Sequence, residues 1–150
     1  MAVTVFAYSH FPTNLLNALY VGLGGEAHIK CMLLLDTYTP NQDDHNDVAD
    51  VRGDEHAAAG NYATNGDTLT TTTVSVAARV TTYDTDNASW AASTITARYA
   101  VVYDDTEAAD ADKPLILCVD FGANKSSEAG TFEVAWNASG LFTITVAAEA

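Results

Sequence analysis

Trp90-Ala91-Ala92-Ser93-Thr94-Ile95-Thr96-Ala97-Arg98-Tyr99-Ala100-Val101-Val102-Tyr103 is the stretch that decides the fold class. It holds no Gly or Pro and is built from Thr, Val, Ile, Tyr and Ala. The β-branched and aromatic members favour an extended, half-buried backbone. A period of two places Ile95, Ala97, Tyr99, Val101 and Tyr103 on one face. Trp90, Ala92, Thr94, Thr96, Arg98, Ala100 and Val102 fall on the other. The stretch therefore predicts one long strand.

Working outward, Asp84-Thr85-Asp86-Asn87 is a turn, and Thr68 to Tyr83 before it predicts another long, Thr- and Val-rich strand. Asp104 to Lys113 is an acidic loop. Leu115 to Phe121 predicts a strand bounded by Pro114 and Gly122. Thr131 to Trp136 and Leu141 to Val146 predict a hairpin around Asn137-Ala138-Ser139-Gly140. Ala27 to Asp36 predicts a strand, and the apolar run Ile29 to Leu35 suits burial on both faces. Phe11 to Val21 predicts the one helix. Pro12 and Thr13 resemble a helix start, Leu15, Leu16 and Leu19 share a face, and Gly22, Gly24 and Gly25 stop it. These elements predict an all-β chain: an antiparallel β-sandwich or jelly-roll-like barrel with one short N-terminal helix. Residues 1–26 would form an arm and helix packed on or extending from the domain. Residues 27–150 would form a single β-sandwich domain, and no internal repeat divides them.

Charge narrows the function classes. The chain has 150 residues, with 20 Asp plus Glu against 6 Lys plus Arg, a net charge of −14. Such a charge repels nucleic-acid phosphates and anionic membranes. It suits solubility, a basic partner surface, or divalent cations. Cys31 and Cys118 sit in apolar runs and read as buried free thiols. The N-terminus lacks a basic secretory leader, and the longest apolar run is far shorter than the ~20 residues of a membrane helix. The chain is thus expected to be made in a cytoplasm and to stay soluble. Asn87-Ala88-Ser89, Asn124-Lys125-Ser126 and Asn137-Ala138-Ser139 then read as turn sequences instead of glycosylation sites.

Catalytic signals are weak. His45 beside Asp43 and Asp44, and His56 beside Asp54 and Glu55, lack a metal-binding spacing. Asp84, Asp86, Asp104 and Asp105 offer hard oxygens for calcium, but Asx-rich turns arise for backbone reasons alone. There is no nucleophile elbow, and Gly22-Leu23-Gly24-Gly25 follows a helix where a phosphate loop would follow a strand. No catalytic residue, metal or cofactor is assigned, and a non-enzymatic protein is expected. The long polar loop from Thr37 to Asp67 is unusual in a compact domain and invites a binding role. Candidate contact residues are Val3, Val5, Phe6 and Tyr8 in the N-terminal segment, which could add a strand to a neighbour's sheet or serve as an ordinary first strand. In the loop they are Tyr38, Asn41, Gln42, Asp44, His45, His56 and Tyr62, since loop aromatics are favoured interface anchors.

Several runs together resemble a family of small structural virion proteins of tailed bacteriophages. They are Leu33-Leu34-Leu35-Asp36-Thr37-Tyr38-Thr39-Pro40, Asn41-Gln42-Asp43-Asp44-His45, Asp50-Val51 with Glu55, Gly60-Asn61-Tyr62, and Asn65-Gly66-Asp67-Thr68-Leu69. Ile95 to Asp105, Pro114-Leu115-Ile116, Asp120-Phe121-Gly122 and Phe132 to Val146 complete the likeness, which spans roughly Ala27 to Val146. Asn65-Gly66 departs from the Gly-Gly expected there. The resemblance implies a capsid decoration or cement protein, made in the host bacterial cytoplasm and carried on the capsid surface. Its partners would be the major capsid protein and further copies of itself, as a dimer or trimer. A tail, neck or fibre protein shares the same features. A small carbohydrate-binding or enzymatic β-sandwich is the reading from another class.

Overall fold

Strand-forming sequence condenses into two antiparallel sheets and one short helix, an all-β architecture in which no barrel closes. The computed structural model describes residues 2–20, 23 and 28–149. The expected end of the helix at Val21, its glycine stop and the start of the first buried strand at Ala27 lie outside them. The larger sheet has the order β1-β7-β6-β2-β3, from β1 (Thr4–Ala7), β2 (Ile29–Leu34), β3 (Asp67–Thr68), β6 (Ala88–Asp104) and β7 (Leu115–Val134). The smaller has the order β4-β5-β8, from β4 (Thr73–Ala77), β5 (Val80–Asp84) and β8 (Phe142–Thr145).

The continuous apolar run of β2 is explained by its place. Ile29, Cys31, Met32, Leu33 and Leu34 have no exposed surface, because the sheet is covered on both faces. One core gathers Ile29, Cys31, Leu33, Ala100, Val102, Leu117 and Val119 with Trp90, Phe132 and Tyr83. The other gathers Met32, Leu34, Val101, Tyr103 and Cys118 with Tyr8, Tyr38, Val48 and Val51. Cys31 and Cys118 are both free, and they belong to opposite cores.

Several expected boundaries give way to longer-range packing. Leu115–Phe121 and Thr131–Val134 are one strand of 20 residues, since Gly122 bends β7 without ending it. Gly122 takes a positive φ of 76°, and its N–H donates to Asp120 Oδ1 at 2.7 Å. The pairing of β6 with β7 also slips between Trp90 and Ser93, Ser93 and Ile95, and Ala97 and Tyr99. These irregularities break the strict two-residue alternation of faces along the pair. Ile95 and Ala97 therefore join the core of Trp90, Ala100 and Val102, not that of Tyr99, Val101 and Tyr103. The far half of the ribbon folds back, with Phe132 lying 6.1 Å from Phe121. Leu141–Val146 does not pair with Thr131–Trp136; β8 crosses to β5 instead.

The expected strand Thr68–Tyr83 is β3 plus a β4–β5 hairpin turning at Ala78 and Arg79, with φ of 47° and 70°. That is a two-residue turn of the twist-compatible kind, without the Asn-Gly that usually marks it. The helix is only α1 (Phe11–Leu16), and Ala18 leaves helical space at φ 55°. Leu15 packs on the core, but Leu16 is 87% exposed and Leu19 half exposed, so the three leucines do not share a buried face.

Candidate interaction surfaces

The Thr37–Asp67 loop is a strap on the large sheet, with Tyr38, Val48 and Val51 in one core and Tyr62 in the other. Val48 and Val51 are fully buried beneath two 3₁₀ turns, Val48–Asp50 and Arg52–Asp54. The first turn is closed by a reciprocal cap. Asp47 accepts from the Ala49 N–H, and Asp50 accepts from the N–H groups of Asn46 and Asp47. The strap is sewn to β7 by Leu115 N–H to Asn46 C=O at 2.9 Å, and to β2 by His56 N–H to Leu33 C=O at 2.8 Å.

This architecture brings the candidate contact residues of the loop and of the N-terminal segment together, but mostly against each other. The Tyr8 and Tyr38 hydroxyls lie 3.0 Å apart, and Tyr38 Oη meets His45 Nδ1 at 2.8 Å. Gln42 Nε2 donates to Ala7 C=O, and Ser9 Oγ donates to Asp43. Asn41 accepts from the N–H groups of Asp43 and Asp44 and donates to the Asp44 carboxylate. Phe6 meets the Tyr8 ring edge-on at 5.6 Å and is half buried. His56 bonds Ala57 C=O, accepts from Thr96 N–H and abuts Tyr62. The Tyr62 hydroxyl accepts from Leu33 N–H at 3.0 Å. Tyr8, Tyr38 and Tyr62 are each at most 2% exposed, so as partner anchors they are corrected to core residues. Their rings extend the apolar layers, and their hydroxyls satisfy buried polar groups. Burial pushes all three phenols upward. Val3 and Val5, by contrast, are each 57% exposed.

Most positive charge is consumed inside the domain. Lys30 and Lys113 both reach Asp105, at 2.7 and 2.8 Å. Lys113 also reaches Asp110, which takes two hydrogen bonds from Arg52. Arg52 in turn pairs with Glu55, whose other oxygen accepts from Tyr62 Oη and Asn65 N–H. Arg98 pairs with Asp120. Burial would raise Asp105, but Lys113 and Lys30 outweigh it and hold the carboxyl below the usual range. The Arg52 guanidinium does the same to Asp110, and Arg98 to Asp120. Among the described residues, Arg79 and Lys125 stand outside these pairs. The outward field is left to the excess carboxylates.

Against that field, residues 2–20, 68–83 and 134–148 are among the segments that hold no Asp or Glu. They carry the exposed apolar surface. Beside the edge strand β1, Val3 and Val5 flank a groove of about 260 Å³ that is lined by Leu117 and Val119 of the paired β7 and by Val134 and Trp136. In the small sheet, the register sets Val74, Tyr83 and Phe142 in one row and Val76, Thr81 and Ile144 in the next. Tyr83 stacks on Phe142 at 5.0 Å, and Phe142 meets Phe11 at 4.9 Å, so the base of this face belongs to the core. Its outer part runs into solvent, with Val74 61% and Val76 72% exposed. The alternation in Thr73-Val74-Ser75-Val76-Ala77 was a visible signal for this face. The Ala78-Arg79 turn, which lacks turn-favouring residues, hides the hairpin that carries it.

Asp86 accepts from the Thr70 and Thr71 hydroxyls, and Asp104 from Thr106. Among the described residues, no three His, Cys, Asp or Glu side chains are grouped to hold a metal. An open depression of about 520 Å³ is lined by Asp47, Glu107 and Asp112 with Asn14 and Asn46. Burial and neighbouring Asp50 raise the Asp47 carboxyl, which already serves as a turn cap. No helix of the described residues is long and apolar enough to cross a membrane. Compared with known protein families, curated proteins and solved structures, the chain matches none.

Proposed function

We propose that this chain is a structural protein of a tailed-phage particle, a capsid decoration protein that docks on the outer surface of the shell and bridges capsid subunits. It acts by binding, with no catalytic step. The observation that carries the reading is the β1 edge. An edge strand with one free side and two exposed valines, from a segment without acids, stand beside an apolar groove on a chain of net charge −14. A segment of the major capsid protein would add to this edge as a strand and seat apolar side chains in the groove. The remaining acidic surface repels packaged DNA and suppresses premature aggregation.

The test uses heads of the encoding phage that lack this chain, mixed with purified protein and pelleted. Saturable co-sedimentation is expected, and Val5→Asp should weaken it by about tenfold or more while the protein stays folded. Failure of the unaltered protein to pellet with heads would defeat the proposal. Binding to purified tails instead would reassign the protein to the tail or neck.

A further inference from the structure

We infer that two copies of this chain pair through β4, strand to strand in antiparallel fashion, about a two-fold axis at Ser75. This surface is separate from the β1 edge, and the inference stands whether or not the partner of β1 is a capsid.

β4 lies at the edge of its sheet, and all five of its residues are exposed. Edge strands are usually guarded by charges, prolines or bulges. Thr73-Val74-Ser75-Val76-Ala77 has no charge and no proline, and its register with β5 is continuous from Thr73 opposite Asp84 to Ala77 opposite Val80. The two-residue turn makes Ala77 and Val80 a mutually hydrogen-bonded pair, and such pairs alternate along an antiparallel ladder. Ser75 and Thr73 therefore bond inward to β5. Val74 and Val76 direct their N–H and C=O groups at the free edge, where a second strand would satisfy them.

The occupant is set by charge and by register. A second copy also carries −14, so an approach through acidic surface is repelled. Residues 68–83 hold no acid, so edge-to-edge contact avoids most of that repulsion. Full overlap of the five-residue strand centres the axis on Ser75. Val74 then faces Val76 of the second copy, and the exposed valines shield one another across the seam. Arg79 lies four residues beyond Ser75 and Thr71 four before it. The register thus brings Arg79 level with Thr71 of the second copy, whose hydroxyl donates to Asp86 at 2.6 Å. Each Arg79, a cation outside the internal ion pairs, would meet an exposed carboxylate of the other chain, twice by symmetry.

The experiment is light scattering on the full chain during size exclusion, joined to a register-specific cross-link. The unaltered protein should show twice the 15.8 kDa chain mass at about 100 µM or below. Ser75→Cys should oxidise to a covalent dimer, because directly opposed residues in a non-hydrogen-bonded pair sit about 4.5 Å apart at Cα, within disulfide reach. Cys31 and Cys118 are buried, and burial pushes the Cys118 thiol up to about 12, so neither competes. Ala77→Cys, whose partner would be Thr73, should not cross-link. Val76→Pro removes an outward N–H without touching the β5 ladder. It should weaken association by about tenfold or more with an unchanged circular dichroism spectrum. A single-chain mass at about 100 µM with no Ser75→Cys cross-link would overturn the inference. So would a dimer that Val76→Pro leaves intact, or one that cross-links through Ala77→Cys instead.

Discussion

Gly66 shows how one residue couples a turn to the core. It takes φ 70° after Asn65 at 79°, and a Cβ built on it would lie 1.9 Å from the Cys31 carbonyl oxygen. Gly66→Ala should therefore destabilise by about 2 kcal/mol or more, seen as a lowered denaturant midpoint. The Asn65-Gly66 turn was legible in sequence; the closeness of β2 behind it was not, since that depends on tertiary pairing. Arg52 is a second such residue. Its removal leaves Glu55, whose side chain is 5% exposed, without a counter-charge. Arg52→Ala should cost about 2 kcal/mol, a figure reduced because Arg52 itself is one-quarter exposed. The same network predicts a pH dependence. Asp110 and Asp120 are held below the ordinary carboxylate range, so they bind protons less readily folded than unfolded. Their stabilisation is present above about pH 4 and is lost as pH falls through the lowered folded values. The melting-temperature gap between the unaltered chain and Asp110→Asn should be full at neutral pH and close in strong acid. The three tyrosines mark the limit of residue-scale reading. In an N-terminal segment and a polar loop they resemble anchors, and only the fold reveals that both segments pack on the sheet.

At the scale of elements, strand identity was readable and strand ends were not. The buried run of β2 and the long β6 follow from composition and period. The slips that turn Ile95 and Ala97 away from Tyr99 do not, because a bulge is set by the partner strand as much as by the bulged one. Gly122 resembles a strand end and is a bend, for the same reason. The β4–β5 hairpin was hidden by Ala78-Arg79, two residues forced into left-handed backbone where Asn and Gly are favoured. Ala78→Asn should consequently raise stability by about 0.5–1 kcal/mol, measured by thermal melting, with the sheet unchanged.

At the scale of the whole molecule, charge and exposed edges matter more than any single contact. Four of the six cations are engaged in internal ion pairs, so the net −14 acts outward. Screening should relieve this self-repulsion, and the melting temperature should rise between low salt and about 0.5 M salt. The acidic excess was evident from composition, whereas its gaps over β1 and the small sheet required the fold. The measurement bearing most directly on the proposed function is copy number in purified particles of the encoding phage, by quantitative peptide mass spectrometry against the major capsid protein. A decoration protein should be present at one copy per capsid subunit or per few subunits. Absence from the particles, or a handful of copies in each, would contradict that role.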